Sequence, residues 1–214
     1  MKFQPARSAT RAGAVRRLRI RLVAIAVTAA AVLGLGGAPA HAATSTLTVC
    51  GIRTTSTSLS GFGDTAQYFP APSGTFELGA LGWWTTNAQV VSAQEPWSVA
   101  GRGSRALQLN PGGTAQSSLD CNTKGENAAR FFYRSPGLAG SQLHVTVETL
   151  GAAGALSSQT YTVSGGSTAW ALSPSIAIPN GRLLSLQFVR FTFATTGPGS
   201  WQLDDLLVDP WKAL

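Results

Sequence analysis

The stretch Gln142-Leu-His-Val-Thr-Val-Glu-Thr-Leu150 alternates between two kinds of side chain. Its odd-numbered residues, from Leu143 to Thr149, would form one face of an extended chain, and its even-numbered residues, from His144 to Glu148, the other. A period of two residues is typical of a β-strand. The stretch therefore predicts a strand over 142–150.

A second strand is predicted over Leu184–Thr195. Apolar and polar residues alternate in its first half, and aromatic residues then occupy what we take to be both faces, around Phe191 and Phe193. A strand that is apolar on both faces lies centrally in a packed layer. We therefore expect this strand in the middle of a sheet.

Shorter stretches of strand composition fill most of the chain after residue 42, and turn residues separate them at intervals of roughly ten residues. These stretches are about Thr46–Cys50, Gly74–Leu78, Ala88–Ala93, Ala106–Leu109, Ala115–Leu119, Ala129–Arg134, Gln159–Ser164 and Trp201–Val208. No segment there has a sustained helical period, so we expect little helix. The pattern predicts an all-β domain, either a sandwich or a barrel.

Clusters of Pro and Gly are expected in the connections between strands, because strands tolerate them poorly. They are Asn110-Pro111-Gly112-Gly113, Ser135-Pro136-Gly137 and Gly197-Pro198-Gly199. Gly151-Ala152-Ala153-Gly154 predicts a hairpin tip between two long strands. The stretch Gly51–Ala71 is the least regular, and we interpret it as a long loop held at Cys50.

The first 42 residues have the order of a secretory leader: a basic head, the apolar run Leu22–Ala38, and Ala40-His41-Ala42, which fits the small-x-small rule for signal peptidase. The apolar run is shorter than the roughly 20 residues that span a membrane. We therefore expect cleavage before Ala43, with retention as an anchor as the alternative. No later stretch approaches membrane length, so the mature protein is expected to be secreted.

Removal of the leader changes the net charge. The whole chain has 16 Lys+Arg and 9 Asp+Glu, a formal net charge of +7. Seven of the basic residues lie in the leader, so the mature chain keeps 16 − 7 = 9 basic and 9 acidic residues and has a net charge of zero. Nucleic-acid-binding surfaces are basic, and we therefore expect no nucleic-acid partner.

The mature 214 − 42 = 172 residues are the size of one domain. We divide the chain into a signal peptide over 1–42, an irregular N-terminal segment over 43–73, and a β-sandwich core over 74–214. Cys50 and Cys121 favour a disulfide in an exported protein. The bond would close 121 − 50 = 71 residues, worth roughly 4 kcal/mol in the chain-entropy model. Two separate buried thiols are the alternative.

Short motifs distributed along the mature chain carry a family resemblance. They are Phe76-Glu77-x-Gly79 followed by Gly82-Trp83-Trp84, then Gly103-Ser104-Arg105-Ala106-Leu107-Gln108-Leu109, and finally Trp201-x-Leu203-Asp204-Asp205-Leu206. Over roughly residues 74 to 209 this pattern resembles the galactose-binding-like jelly rolls, which include several families of carbohydrate-binding modules. The resemblance implies a jelly-roll β-sandwich.

The wider pattern is also similar to a group of secreted bacterial proteins of unknown function. It adds Gly63-Asp64, Arg130-Phe131-Phe132 and Val208-Asp209-Pro210 to the motifs above. This second similarity implies a fold and no activity, because the same architecture serves lectins, enzyme accessories and structural modules.

The resemblance also implies a structural Ca²⁺. In many such modules an early Glu and a late Asp meet with backbone carbonyls around the ion, and the matching positions are Glu77 with Asp204 or Asp205. A hard cation of this kind takes six to eight oxygen ligands. Successive strand residues point to opposite faces, so at most one of the two aspartates is expected to point inward. An exposed pair that limits edge-to-edge pairing is the alternative.

A sugar site needs an aromatic face for the apolar side of the ring and polar side chains for its hydroxyls. The stacking candidates are Trp83, Trp84 and Trp97, and the hydrogen-bonding candidates are Arg134, Gln187 and Arg190. Adjacent tryptophans on a strand point to opposite sides, so one ring of the Trp83-Trp84 pair is expected in the core. Tryptophan is also a common core residue of sandwiches, and this is the alternative for each candidate.

Motifs of the common enzyme classes are missing from the sequence. The mature chain has one histidine, His144, and it has no Gly-x-Ser-x-Gly elbow, His-Glu-x-x-His helix motif or phosphate-binding loop. We therefore expect a secreted, non-catalytic binding module at or outside the cell envelope, with a glycan or envelope polymer as the best-motivated ligand. A structural or protein-interaction module is the first alternative, and a glycoside-active enzyme that uses two carboxylates is the second.

Overall fold

The structure is a computed structural model that describes residues 43–101, 103–123, 125–151, 154–179 and 187–209. Within these residues the regular structure is a short 3-10 helix, Ser60–Phe62, and thirteen strands. The strands are β1 (Ala43–Thr48), β2 (Gly51–Ser56), β3 (Phe69–Pro70), β4 (Trp84–Ser92), β5 (Arg105–Gln116), β6 (Asp120–Asn122), β7 (Ala128–Arg134), β8 (Gln142–Gly151), β9 (Gly154–Ser164), β10 (Trp170–Leu172), β11 (Ile176–Ala177), β12 (Gln187–Thr196) and β13 (Trp201–Asp209).

Eleven of these strands form one antiparallel sheet that curls into the two layers of a jelly-roll β-sandwich. The first layer has the order β4-β5-β13-β7-β10, with β3 on β13 and β11 on β7. The second layer has the order β4-β5-β12-β8-β9, with β6 on β12. The inner faces meet in a single apolar core, in which the Phe131 ring of the first layer lies 5.1 Å from the Phe193 ring of the second.

The long strand β5 belongs to both layers, and its middle is the corner between them. Leu107–Leu109 pairs with β13, and Thr114–Gln116 pairs with β12. The prediction that Asn110–Gly113 connects two separate strands is wrong, because these residues continue β5 through the bend. A side chain at Gly113 would meet the Asn87 carbonyl oxygen at 2.5 Å, so the close approach at the corner requires glycine.

The alternation predicted over 142–150 is confirmed in β8, where Leu143, Val145 and Val147 are fully buried. The predicted hairpin between two long strands is also confirmed, since β8 and β9 pair up to Gly151 and Gly154, and the two residues between these glycines lie outside the described residues. The placement of aromatic residues on both faces around Phe191 and Phe193 is wrong, because both rings lie on the buried face of β12. Residues 184–186, where the alternation of the predicted strand begins, lie outside the described residues.

The segment 43–73 contains more regular structure than its composition indicates. β1 and β2 form a two-stranded hairpin. At its turn Cys50 is bonded to Cys121 of β6, with 5.6 Å between the Cα atoms, which confirms the predicted disulfide. The Arg53 guanidinium is a second link between the hairpin and the large sheet. It donates a hydrogen bond to Glu126 at 3.0 Å and forms an ion pair with Asp120 of β6.

The strand predicted over Gly74–Leu78 is absent from the described structure, and turns occupy its place. Phe76 has a left-handed backbone with φ of 55°, and its carbonyl accepts a hydrogen bond from Gly79 N at 2.9 Å. This turn points the Phe76 ring into the core, so burial of the ring outweighs the strand propensity of the segment.

No helix among the described residues has the length and apolar character needed to cross a membrane. The signal peptide predicted over 1–42 lies outside the described residues, as does the end of the chain from residue 210.

Candidate functional site

The outer face of the second layer carries a row of polar side chains that ends at an exposed tryptophan. Strand register places one residue of each of the five strands in this row. In order across the sheet they are Trp84 (β4), Gln116 (β5), Thr192 (β12), Thr146 (β8) and Thr160 (β9). Neighbouring strands lie about 4.8 Å apart, so the row is about 19 Å long. We call this surface the threonine face.

Hydrogen bonds between neighbours order the row. Gln116 Nε2 donates to Thr192 Oγ1 at 3.1 Å, and the Thr146 and Thr160 hydroxyls are 2.8 Å apart. Each threonine hydroxyl has both donor and acceptor capacity, and only part of it is used by its neighbour. The row therefore presents hydroxyl and amide groups in fixed positions beside the Trp84 ring.

Two further polar groups lie beside the row. Arg190 of β12 is opposite Glu148 of β8, and Arg190 Nη2 is 2.7 Å from Glu148 Oε2. On the other side of the row, His144 contacts Thr162 Oγ1 through Nδ1 at 3.1 Å and Thr196 Oγ1 through Nε2 at 3.0 Å. The ion pair is half-buried and internally compensated, so it adds polarity to the threonine face without adding net charge.

The adjacent tryptophans Trp83 and Trp84 have opposite environments, which confirms that one ring of the pair lies in the core. Trp83 is 8% exposed, packs on the Phe76 and Phe193 rings, and donates from Nε1 to the Pro72 carbonyl at 3.2 Å. Trp84 is 62% exposed. Only Trp84 of this pair offers a ring face to a ligand.

The other predicted binding residues are distributed over the molecule. Trp97 is 46% exposed, but it leans on Phe62 and Phe132 above the first layer, at ring distances of 5.0 and 5.3 Å. Gln187 is buried on the inner face of β12, because its position has the same parity as the core aromatic residues of that strand. Burial removes Gln187 from any surface site.

Arg134 lies on the outer face of the first layer, where its guanidinium covers the Trp170 ring at 5.6 Å. The structure thus brings only Trp84 and Arg190 of the predicted set together, on the threonine face. Sequence reasoning missed Gln116, Thr192, Thr146 and Thr160 as partners of Trp84. The alternation within each strand indicates that these side chains point outward. It does not indicate which residues of neighbouring strands lie side by side.

The acidic residues Glu77, Asp204 and Asp205 lie around a bulge in β13. Asp205 has a left-handed backbone with φ of 45°, and the pairing of β13 with β7 shifts between Asp204 and Leu207. This bulge breaks the strict alternation of the strand, so Asp204 and Asp205 are both buried. Both accept hydrogen bonds from the loop after β4, Asp204 from Glu95 N and Asp205 from Ala100 N, each at 3.1 Å. The expectation that the two side chains point to opposite faces is therefore wrong.

Glu95 joins this acidic cluster from the loop after β4, and it is also buried. Burial, with the charges of Glu95 and Glu77 nearby, raises the pKa of Asp204 to about 7. Burial, with the charges of Asp204 and Glu95, raises the pKa of Asp205 to about 8. Burial without a neutralising cation favours the protonated form of both groups.

Backbone N–H groups occupy oxygens of these carboxylates that a calcium ion would need. Glu77 Oε1 accepts from the backbone N–H groups of Ser104 and Arg105, and Asp204 Oδ2 accepts from that of Glu95. Across the part of the chain that the structure describes, no three His, Cys, Asp or Glu side chains are arranged to hold a metal ion. The donor set does not fit a cation in this conformation, and calcium at Glu77, Asp204 and Asp205 stays a prediction.

Comparison with known proteins gives matches to structures alone. No protein-family model matches the chain, and no curated protein sequence matches it. The enzymatically active domain of tailspike protein 4 from bacteriophage CBA120 matches with a TM-score of 0.50 and 13% identity, over 65% of this chain and 21% of the tailspike chain. The chain therefore spans about a fifth of that protein.

Most of the similar solved structures are carbohydrate-binding modules with a β-sandwich jelly-roll fold. A family 61 module in complex with β-1,4-galactotriose matches with a TM-score of 0.46 and 19% identity, over 64% of this chain and 95% of the module. A family 11 module from Clostridium thermocellum in complex with a mixed-linked tetrasaccharide has a TM-score of 0.41 and 14% identity, over 69% and 98%. Identity this low shows similarity of fold and not of activity.

Proposed function

We propose that this protein is a secreted, non-catalytic carbohydrate-binding module whose ligand lies along the threonine face. The observation that carries the proposal is the exposed Trp84 ring at the end of a row of amide and hydroxyl groups. A sugar ring has an apolar side that packs on an aromatic face and hydroxyls that need directed hydrogen bonds. Trp84 supplies the first, and Gln116, Thr192 and Thr146 supply the second.

The charge of the threonine face favours a neutral glycan. Its two charged side chains, Arg190 and Glu148, neutralise each other at 2.7 Å. An ionic ligand would have to displace one member of this pair. A chain of neutral sugars can bind along the row, which is about 19 Å long, without disturbing the ion pair.

Export and the absence of catalysis are parts of the same proposal. Disulfides such as Cys50–Cys121 persist in oxidising compartments, which supports the interpretation of residues 1–42 as a leader. His144, the one histidine of the mature chain, has both ring nitrogens in contact with threonine hydroxyls. This arrangement supports a structural role for His144 over a general base.

Trp84→Ala tests the proposal, and Trp83→Ala is the matched control. We expect Trp84→Ala to lower retention on insoluble neutral polysaccharides by at least about tenfold, because loss of a stacked ring costs more than about 1.4 kcal/mol. Its melting temperature should stay close to that of the parent protein, since the ring is exposed. Trp83→Ala should instead destabilise the fold by about 3–5 kcal/mol.

The measurements are affinity electrophoresis or pull-down on a panel of polysaccharides, together with thermal unfolding. Retention that is unchanged in Trp84→Ala would refute the threonine face as the site. Release of reducing sugars from a retained polymer would contradict a purely binding role.

A protein-interaction role is the second candidate, and the β1–β2 hairpin favours it. Leu47 lies opposite Ile52 in this hairpin, and Val49 lies at its turn. All three side chains are at least 72% exposed. Exposed apolar groups that lie this close together are typical of contact surfaces. This role predicts that the parent protein is retained on none of the polysaccharides.

A further inference from the structure

The outer face of the first layer carries a second row, which is made of three amide side chains followed by an arginine and a tryptophan. Register places the following residues side by side from β4 to β10: Gln89, Gln108, Gln202, Arg134 and Trp170. We call this set the amide row. It lies on the side of the sandwich opposite the threonine face, so it does not depend on the proposed function.

The amides of the row are hydrogen-bonded in one direction. Gln202 Nε2 donates to Gln108 Oε1 at 3.1 Å, and Gln108 Nε2 donates to Asn110 Oδ1 at 3.2 Å. The oxygen at the start of this chain, Gln202 Oε1, is buried and accepts no hydrogen bond from the described residues. Buried acceptors are nearly always satisfied. Gln202 is therefore the member of the row whose hydrogen-bonding capacity is incompletely used by the described residues.

Arg134 lies directly opposite Gln202 and differs from the other half-buried arginines of the described chain. Arg53, Arg130 and Arg190 each form an ion pair with a carboxylate at 3.0, 3.1 and 2.7 Å. No carboxylate of the described residues lies within ion-pair distance of Arg134, whose guanidinium is held over the Trp170 ring. A guanidinium held in this way keeps its N–H edge available for a bidentate contact with an anion.

We propose that the Arg134 end of the amide row binds the carboxylate of an acidic sugar in a polysaccharide. Arg134 contacts the carboxylate, Trp170 holds the guanidinium in place, and Gln202 and Gln108 contact hydroxyls of the same and neighbouring sugars. A small free anion would use only Arg134. A uronate chain uses the whole row, because it combines negative charge with a regular series of hydroxyls.

The experiment compares polygalacturonate with its methyl ester, in which the same sugars carry no charge. We expect the full mature protein to be retained by polygalacturonate at low salt and not by the ester, and the retention to weaken as salt rises. Arg134→Gln should weaken binding roughly tenfold, the effect of one charge-assisted contact. Arg134→Lys should keep part of the affinity, because it keeps the charge and loses the planar fork.

Arg105→Gln is the matched control. Arg105 lies at the start of β5, is exposed, and forms no ion pair with a described residue. Its replacement removes the same charge from the same layer and should leave binding unchanged. Trp84→Ala should also leave polyuronate binding unchanged, so failure of this inference and failure of the proposed function are distinguishable.

Three outcomes would overturn the inference: no retention on polygalacturonate at low salt, equal retention on the methyl ester, or equal losses in Arg134→Gln and Arg105→Gln. Melting temperatures of all variants report folding. If Arg134→Gln is unstable, Arg134→Lys decides the matter, because full affinity in the lysine variant would contradict a bidentate contact.

Discussion

The two outer faces of this sandwich have the same construction and differ in what lies over them. The row of the threonine face is accessible to solvent along its length, because Trp84 and Thr160 at its ends are exposed and the three residues between them are half-buried. Part of the outer face of the first layer is covered by a second apolar cluster, which we call the satellite cluster. Its buried members are Leu59, Tyr68, Phe132 and Leu207, and Phe62, Ala66, Val99, Trp170 and Leu172 pack against them.

This difference shows how one fold makes two kinds of surface. Inner faces of a sandwich must match each other, so they have little freedom. Outer faces can remain exposed to solvent or can be covered by loops. Here the 3-10 helix that ends at Phe62 and the loop that contains Val99 cover part of the first layer. The same loop donates hydrogen bonds to the buried Asp204 and Asp205.

The largest expected effect comes from breaking the satellite cluster. Phe132 points outward from β7 and is fully buried, whereas Phe188 points outward from β12 and is half-buried. Phe132→Ala should destabilise the protein by about 3 kcal/mol, because it removes the centre of the cluster. Phe188→Ala should cost about 1 kcal/mol. Urea unfolding of both variants measures the difference, and equal losses would show that the loops do not stabilise the first layer.

Much of the fold could be predicted from the sequence, because its signal is local. The alternation over 142–150 and the glycines of the β8–β9 hairpin depend only on residues that are close together in the sequence. The disulfide was also predictable, since a chain with two cysteines allows only one intramolecular pairing. The bend in β5 was not, because Pro and Gly are as compatible with a corner inside a strand as with its end.

The candidate site was predictable only in part, because its residues meet through register between distant strands. The exposed Trp84 could be named as one of two adjacent rings, but nothing local indicates that Thr146 lies in its row. The bulge at Asp205 is a similar case. A strand pattern predicts opposite directions for Asp204 and Asp205, and a single left-handed residue cancels that rule.

The acidic cluster beneath the loops of the first layer should make stability depend on pH. Asp204 and Asp205 have pKa values near 7 and 8 in the folded protein, whereas an unfolded Asp has a value near 4. The folded state therefore binds protons more tightly, so this contribution to stability is complete below about pH 4 and is lost as the pH rises through about 8. We expect the melting temperature to fall by several degrees between pH 5.5 and pH 9.

Asp205→Asn tests this prediction, because an amide keeps the shape of the carboxyl group and does not titrate. The variant should show a smaller fall in melting temperature over the same range. Calcium is added as a separate arm at pH 9. A rise of several degrees with Ca²⁺, reversed by a chelator, would support a cation among Glu77, Asp204 and Asp205, whereas an unchanged curve would leave protonation as the means of neutralising the cluster.

Loss of the ion pair on the threonine face should change stability less than either of the substitutions above. Arg190 and Glu148 are both half-buried and 2.7 Å apart, so loss of the pair should cost no more than about 1 kcal/mol. Glu148→Gln leaves the Arg190 guanidinium without its carboxylate, which is the condition of Arg134 on the other face. This variant should be retained on polygalacturonate more strongly than the parent protein, and the added retention should be sensitive to salt.

Arg190→Gln is the counterpart, since it removes the same ion pair and leaves a carboxylate instead. It should show no such gain, and neither variant should shift the melting temperature by more than a few degrees. If Glu148→Gln binds no better than Arg190→Gln, an unpaired arginine beside a polar row is insufficient to select an acidic glycan. The specificity of the first layer would then have to come from the amides of Gln108 and Gln202 rather than from charge.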